Sequence, residues 1–285
     1  RDTLTSGHCK VTKLDLCGNN LTDVRVEYLC AALTSGECKI TKLLLSSNQL
    51  SDAAAEYLRD ALKSGNCKLT ELNLNNNNLT DVAAERLSEA IKNDNCKLTK
   101  LFLNRNIWKD AGIKYLSDAL MNRNCKLSEL HLNDTGLTNK GAEYLSEALK
   151  NGNCDLTELY LLGNKELKDA GIKYLSEALV NENCKLTKLH LIDTGLTDKG
   201  AKFLSEALKN GNCNFTELNR EKEELNDVGT TYSGDPLVRR NSKLTMMYLS
   251  PTWLTNEGVG YLREALKGQS DKLSIYLGSK KLNDW

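Results

Sequence analysis

The sequence lacks an excess of charge of either sign: Lys+Arg and Asp+Glu both number 38 in 285 residues. Nucleic acid and anionic membrane surfaces are bound through a basic excess, so neither is an expected partner. No apolar run approaches the ~20 residues of a membrane span, and no signal-peptide pattern opens the chain. Histidine is scarce, at His8, His131 and His190 only. Catalytic or metal chemistry needs groups that converge to hydrogen-bond reach or to ~2 Å ligand distance. Neither a Gly-rich phosphate loop nor a nucleophile elbow appears. No catalytic residue, metal or cofactor is therefore expected, and the chain does not read as an enzyme.

What the chain has is repetition. Cysteine recurs at 9, 38, 67, 96, 125, 154, 184 and 213, at a step of 29 residues that becomes 30 only between Cys154 and Cys184. Ser242 carries the register onward, and a shortened copy starts near Asp271. A period of this size marks a solenoid. Within the copy from Cys67 to Asn95, Leu69, Leu72, Leu74, Asn77 and Leu79 give L-x-x-L-x-L-x-x-N-x-L. Leu72 and Leu74 alternate with Glu71, Asn73 and Asn75, which predicts a strand with one buried face. Asp81 reads as the N-cap of a following helix, whose apolar residues Ala84, Leu87 and Ile91 fall at helical spacing. Neither half buries its apolar face alone, and stacking supplies the partner.

These 28–29-residue modules, each with a full helix and with Cys-Lys-Leu leading into the strand, resemble the ribonuclease-inhibitor type of leucine-rich repeat. That type occurs in ribonuclease inhibitor, in the C-terminal sensor regions of NOD-like innate immune receptors and in the GTPase-activating protein for Ran. The resemblance covers essentially all 285 residues and implies an α/β horseshoe solenoid. Its parallel β-sheet would line the concave face, because strands sit ~4.8 Å apart while packed helices need 8–10 Å and take the convex side.

The unbroken period predicts one leucine-rich-repeat domain over 1–285, of about nine modules and a truncated last one. Arg1–Cys9 aligns with Arg59–Cys67, so the chain starts inside a repeat's helix and reads as a piece of a longer protein. One cysteine per module, with Cys17 and Cys30 as extras, fits small buried hydrophobes and reduced thiols, hence a cytoplasmic setting. Sequons at Asn20, Asn78, Asn133 and Asn214 point the other way, but two of them are the repeat's own Asn-Leu-Thr.

Two further columns run along the helices. Small residues follow the cap (Ala54, Ala83, Gly112, Gly141, Gly171, Gly200, Gly229, Gly258), and an aromatic column from Tyr28 to Tyr261 reads as packing between helices. From Leu101 to Cys213 the repetition is two modules long, and the turn asparagine alternates with threonine: Asn106, Thr135, Asn164, Thr194. The extra residue at Asn164–Glu166 predicts a turn longer by one. One module, 215–241, is degenerate. Arg220 stands where a buried leucine belongs and Glu223 where the turn asparagine belongs, with the guanidinium expected to snorkel to an edge. Ser233-Gly234-Asp235-Pro236 is expected to interrupt the helix, since proline in a helix interior costs ~3 kcal/mol or more.

On this constant frame one outward strand column varies: Asp15, Leu44, Asn73, Phe102, His131, Tyr160, His190, Asn219, Tyr248. From Phe102 to His190 it is a band of rings, a composition that carries energy at protein interfaces and that also serves cross-strand stacking. The candidate protein-binding residues are Phe102, Arg105, His131, Asp134, Tyr160, Leu162, His190, Ile192 and Asp193. The column before it, from Lys13 to Glu217, has mostly opposite signs on adjacent strands and reads as a charge ladder. The expected function is recognition of a protein on the concave face. The resemblance implies a ligand-sensing or autoinhibitory region like that of NOD-like receptors, with a nucleotide-binding domain of the same chain as a further partner. A free-standing inhibitor or a Ran-type GTPase activator is the alternative.

Overall fold

The computed structural model describes residues 10–210, 214–221, 223, 231–232, 243–249, 255–267, 273–278 and 280–282. The chain divides into two compact units, Arg1–Thr135 with Asn153–Leu156, and Gly136–Gly152 with Thr157–Trp285.

Unit one alternates β1 (Lys13–Asp15), α1 (Asp23–Leu33), β2 (Lys42–Leu44), α2 (Asp52–Lys63), β3 (Glu71–Asn73), α3 (Asp81–Ile91), β4 (Lys100–Phe102), α4 (Asp110–Leu120) and β5 (Glu129–His131). The strands pair in sequence order and in parallel, with Leu14, Leu43, Leu72, Leu101 and Leu130 in one register row. From Leu43 onward these leucines have no exposed surface, and Leu58 and Leu87 of the helices are equally buried. Unit two holds α5 (Asn139–Leu149), β6 (Glu158–Tyr160), α6 (Lys168–Leu179), β7 (Lys188–His190), α7 (Asp198–Leu208), β8 (Glu217–Arg220), β9 (Met246–Leu249), α8 (Asn256–Lys267), β10 (Ser274–Leu277) and β11 (Lys280–Lys281). Strands β6 to β10 are again parallel in chain order, and the short β11 returns antiparallel against β10. The predicted alternation of strand, turn and helix is thus present from Lys13 to Leu208.

The sequence pattern explains how repeats lock together. The turn asparagine is buried, and its amide ties consecutive repeats. Asn106 Oδ1 accepts from Asn77 N (3.2 Å) and Leu79 N (3.3 Å), while its Nδ2 donates to Leu74 O and Leu103 O, both 3.0 Å away. Where threonine alternates, Thr135 Oγ1 donates to Leu132 O at 2.8 Å, keeping the bond within its own turn. The asparagine before the column cysteines from Cys67 to Cys184 works at the other end. Nδ2 of Asn66, Asn95 and Asn124 donates to the helix-terminal carbonyls of Thr34, Lys63 and Lys92 one repeat earlier, groups that a helix end leaves without an internal partner.

The helix start differs from expectation. Asp81 is not the N-cap: Thr80 is, and its hydroxyl accepts from Val82 N at 3.3 Å. Asp81 is the first helical residue, and its Oδ1 instead accepts from Lys109 N (2.7 Å) and Gly112 N (3.0 Å) of the next repeat. Asp52 holds Thr80, and Asp169 holds Thr197 and Gly200, in the same way. This contact accounts for the glycine at two positions of the small column. A Cβ on Gly112 or Gly200 would lie 2.6 Å from the carboxylate oxygen of Asp81 or Asp169. Gly229 of that column lies outside the described residues.

The aromatic helix column is half-buried at Tyr57, Tyr144, Tyr174 and Phe203 but exposed at Tyr28 and Tyr115, so packing between helices accounts for only part of it. The longer turn takes its extra residue at the exposed pair Lys165–Glu166, and the frame resumes at the buried Leu167. The described column cysteines, Cys38 to Cys184, are buried free thiols, and burial pushes Cys125 up to about 12.

In the degenerate module the snorkelling expectation for Arg220 fails. Its side chain is 1% exposed, because β8 pairs with strands on both flanks and points this position inward. Burial pulls the guanidinium down to about 10, against the opposing charge of Glu223. Glu223 takes over the asparagine's task, accepting from Thr194 N and Thr194 Oγ1 (both 2.7 Å) and from Leu196 N (3.0 Å). The expected helix break at Ser233–Pro236 lies outside the described residues.

Candidate functional site

The outward faces of the strands carry the candidate residues, and each unit presents its own set. In unit one Phe102 on β4 and His131 on β5 are register partners. Their ring centroids lie 4.3 Å apart at a 32° tilt. Glu129, two residues before His131 and on the same face, bonds His131 Nε2 through Oε1 at 2.8 Å and pairs with Lys100 of β4 through Oε2. Burial pushes the Glu129 carboxyl up, but Lys100 and His131 outweigh it and hold it below the usual glutamate range. The imidazole is thereby fixed between a ring and a carboxylate, with 14% of its side chain exposed.

Unit two repeats the device. Tyr160 on β6 and His190 on β7 stack at 4.2 Å with their planes 11° apart. The Tyr160 hydroxyl donates to Glu158 Oε2 at 2.9 Å, and Glu158 also pairs with Lys188 at 3.1 Å. His190 Nε2 lies 3.8 Å from Glu217. Tyr248 and Tyr276 form another stacked pair at 4.9 Å and 14°. Leu162 and Ile192, two residues beyond the rings, are half-buried.

The rim residues occupy a special backbone position. Arg105, Asp134 and Asp193 have φ of 54°, 52° and 56°, the left-handed region that costs most residues strain. Arg105 pairs with Asp134 at 3.2 Å and Lys165 with Asp193 at 3.3 Å. The charge ladder, which is the separate column before the rings, is seen in Lys42–Glu71 at 2.8 Å, Lys100–Glu129 and Lys188–Glu158.

Sequence reasoning read the outward glutamates only as that ladder and missed their second task of holding the rings. The spacing of Glu129 and Glu158, two residues before His131 and Tyr160 and so on the same strand face, was the available signal. It also missed Tyr276 and a row of asparagines on unit one. Asn73 Oδ1 accepts from Asn75 N (3.0 Å), Asn75 Oδ1 from Asn104 N (2.8 Å) and Asn104 Oδ1 from Asn133 N (2.7 Å). Among the described residues no group of His, Cys, Asp or Glu has the arrangement of a metal site, and no helix is long and apolar enough to cross a membrane.

A family profile described as Leucine Rich repeat matches residues 65–88, 123–146 and 182–205. No curated protein sequence matches the chain. Among solved structures, a yeast complex of Rad7 and Elc1 contains a chain 18% identical, with a TM-score of 0.44, over 92% of this chain and 73% of that one. An octameric complex of latrophilin 3, Unc5D and FLRT2 contains one 16% identical, with a TM-score of 0.42, over 94% and 83%. The actin-binding site 2 of leiomodin-1 is 16% identical, with a TM-score of 0.41, over 52% and 86%. Strand, turn and helix recurring in register, with the profile matching three separate repeats, give the described chain the leucine-rich-repeat fold.

Proposed function

We propose that the outward sheet face of each unit is a protein-recognition surface, with Phe102, Arg105, His131 and Asp134 acting on unit one and Tyr160, Leu162, His190, Ile192 and Asp193 on unit two. The observation that carries this reading is a column that changes residue type from repeat to repeat while the strand leucine columns beside it hardly change. Cross-strand stacking alone does not require that variation. The glutamates that hold the rings support it further, because a side chain fixed before binding loses less rotamer freedom on binding.

The test is affinity capture with the wild-type chain and with Phe102→Ala/Tyr160→Ala. A partner of this face should bind the variant more weakly by about 2 kcal/mol or more. Unfolding should shift by about 1–3 kcal/mol, the worth of the two ring pairs removed, Phe102–His131 and Tyr160–His190. A partner retained equally by both proteins refutes the reading.

Within it, the resemblance to ribonuclease-inhibitor-type repeats supports a ligand-sensing or autoinhibitory region like that of NOD-like receptors, acting against a nucleotide-binding domain in the same chain. The buried free thiols support a reducing, cytoplasmic setting. A phosphate-binding loop encoded ahead of Arg1 would support this role. Further repeats running to a polar cap would favour a free-standing inhibitor.

A further inference from the structure

The asparagine row on unit one carries an inference about what the surface binds. A backbone N–H can only donate, so each amide that receives one must present its oxygen to it. The bonds from Asn75 N, Asn104 N and Asn133 N therefore orient the side chains of Asn73, Asn75 and Asn104. Their Nδ2 groups have two N–H bonds each, and these make no hydrogen bond among the described residues. All three side chains are half-buried on the face that also carries Phe102. Asn75 and Asn104 lie on neighbouring repeats, about 4.8 Å apart at the strand spacing. On unit two the same column becomes Leu162 and Ile192, so the fold does not demand the row.

The surrounding charge is balanced. Lys42 is paired with Glu71, Lys100 with Glu129 and Arg105 with Asp134. A fixed, donor-rich row in a neutral field matches a ligand that is neutral and rich in acceptors. Sugar hydroxyls need acceptors as much as donors, and here each amide oxygen already accepts one backbone N–H while both N–H bonds of each Nδ2 are unused among the described residues, so the row offers more donors than acceptors. A carboxylate would enter a half-buried surface without a spare cation. Main-chain carbonyl oxygens have neither problem.

We infer that Asn73, Asn75 and Asn104 form a docking row for the main-chain carbonyls of an extended peptide segment of the partner. This rests on the protein-recognition reading above and specifies its partner's chemistry on unit one. Recognition of this kind is set by backbone hydrogen bonds, with Phe102 beside the row contributing apolar contact.

The test selects phage-displayed random peptides against the intact chain and measures them on wild type, Asn75→Asp/Asn104→Asp and Phe102→Ala. Aspartate keeps the oxygen that holds the next repeat's N–H but replaces the outward amide with an oxygen that repels a carbonyl. Peptides should bind the double variant about tenfold more weakly or worse, with unfolding unchanged. Binding should also survive alanine replacement of any acidic side chain in the peptide. Equal binding to wild type and double variant overturns the inference. If those same peptides are lost on Phe102→Ala, the recognition reading stands without it. Dependence on one acidic peptide side chain overturns the main-chain assignment, as does failure to select any peptide that prefers wild type. If the double variant unfolds early, Asn73→Asp repeats the test, because its oxygen holds only an N–H of its own repeat.

Discussion

Replacing Asn106 by alanine tests whether the asparagine ladder holds the repeats together. The side chain is 6% exposed. Its loss leaves the N–H groups of Asn77 and Leu79 without their acceptor and removes a donor from Leu74 O and Leu103 O. A buried donor or acceptor stripped of its partner costs about 1–3 kcal/mol. The two donors carry most of the penalty, because a carbonyl keeps a second lone pair and tolerates under-satisfaction better. The expected loss is about 3–5 kcal/mol in urea unfolding, at an unchanged dependence on denaturant. Native-state hydrogen exchange localises it, since the amides of Asn77 and Leu79 should lose protection first. Asn106→Thr should cost less, because Thr135 shows that a hydroxyl can retain the bond within the turn. A loss below about 1 kcal/mol for the alanine variant, with Asn77 and Leu79 still protected, would show that water replaces the amide and that the ladder does not bind the repeats.

Three further outcomes are expected. Gly112→Ala should destabilise by about 1–3 kcal/mol, the usual cost of overpacking, because its Cβ would meet Asp81 at 2.6 Å, whereas Gly260→Ala in α8 has nothing within 4 Å and should stabilise by up to about 1 kcal/mol; thermal unfolding of both variants checks the contrast. Among the described cysteines, only half-exposed Cys17 should react readily with a thiol reagent in the native state, since Cys125 is buried with its thiol raised to about 12. Burial raises the Glu223 carboxyl to about 6 from 4.5, against the bonds from Thr194 and Leu196 and the charge of Arg220. A raised acid binds its proton more tightly when folded, so the stability it contributes is present below about pH 4.5 and is lost as pH rises through 6. Relative to Glu223→Gln, the wild type should lose about 2 kcal/mol between pH 4 and 7, and parallel unfolding curves across that range would contradict the raised carboxyl.

The register was legible because stacking repeats the same packing problem every 29 residues, so the residue that solves it recurs in the same column. Leu72, Asn77 and Cys67 are readable for that reason, and the strands and helices that follow from them are where the columns put them. Columns reveal which position matters, but they do not reveal the partner. Asp81 and Thr80 are adjacent and both are good caps; only three dimensions show that Asp81 reaches the next repeat's Gly112 while Thr80 caps its own helix. The same ambiguity hid the asparagine row, because Asn73 stood in the varying column but nothing in the sequence tied it to Asn75 and Asn104. Arg220 failed for a different reason. A side chain can snorkel only where the route to water is short, and this inward position on a strand paired on both flanks has no such route. The framework answered its two departures together: glutamate at the asparagine position keeps the ladder bonds to Thr194 and Leu196 and supplies the charge that burial of Arg220 requires. Departures that compensate each other three residues apart mark a site that still holds its neighbours, so Arg220→Leu alone should be less favourable than Arg220→Leu with Glu223→Asn, which restores the repeat's own solution.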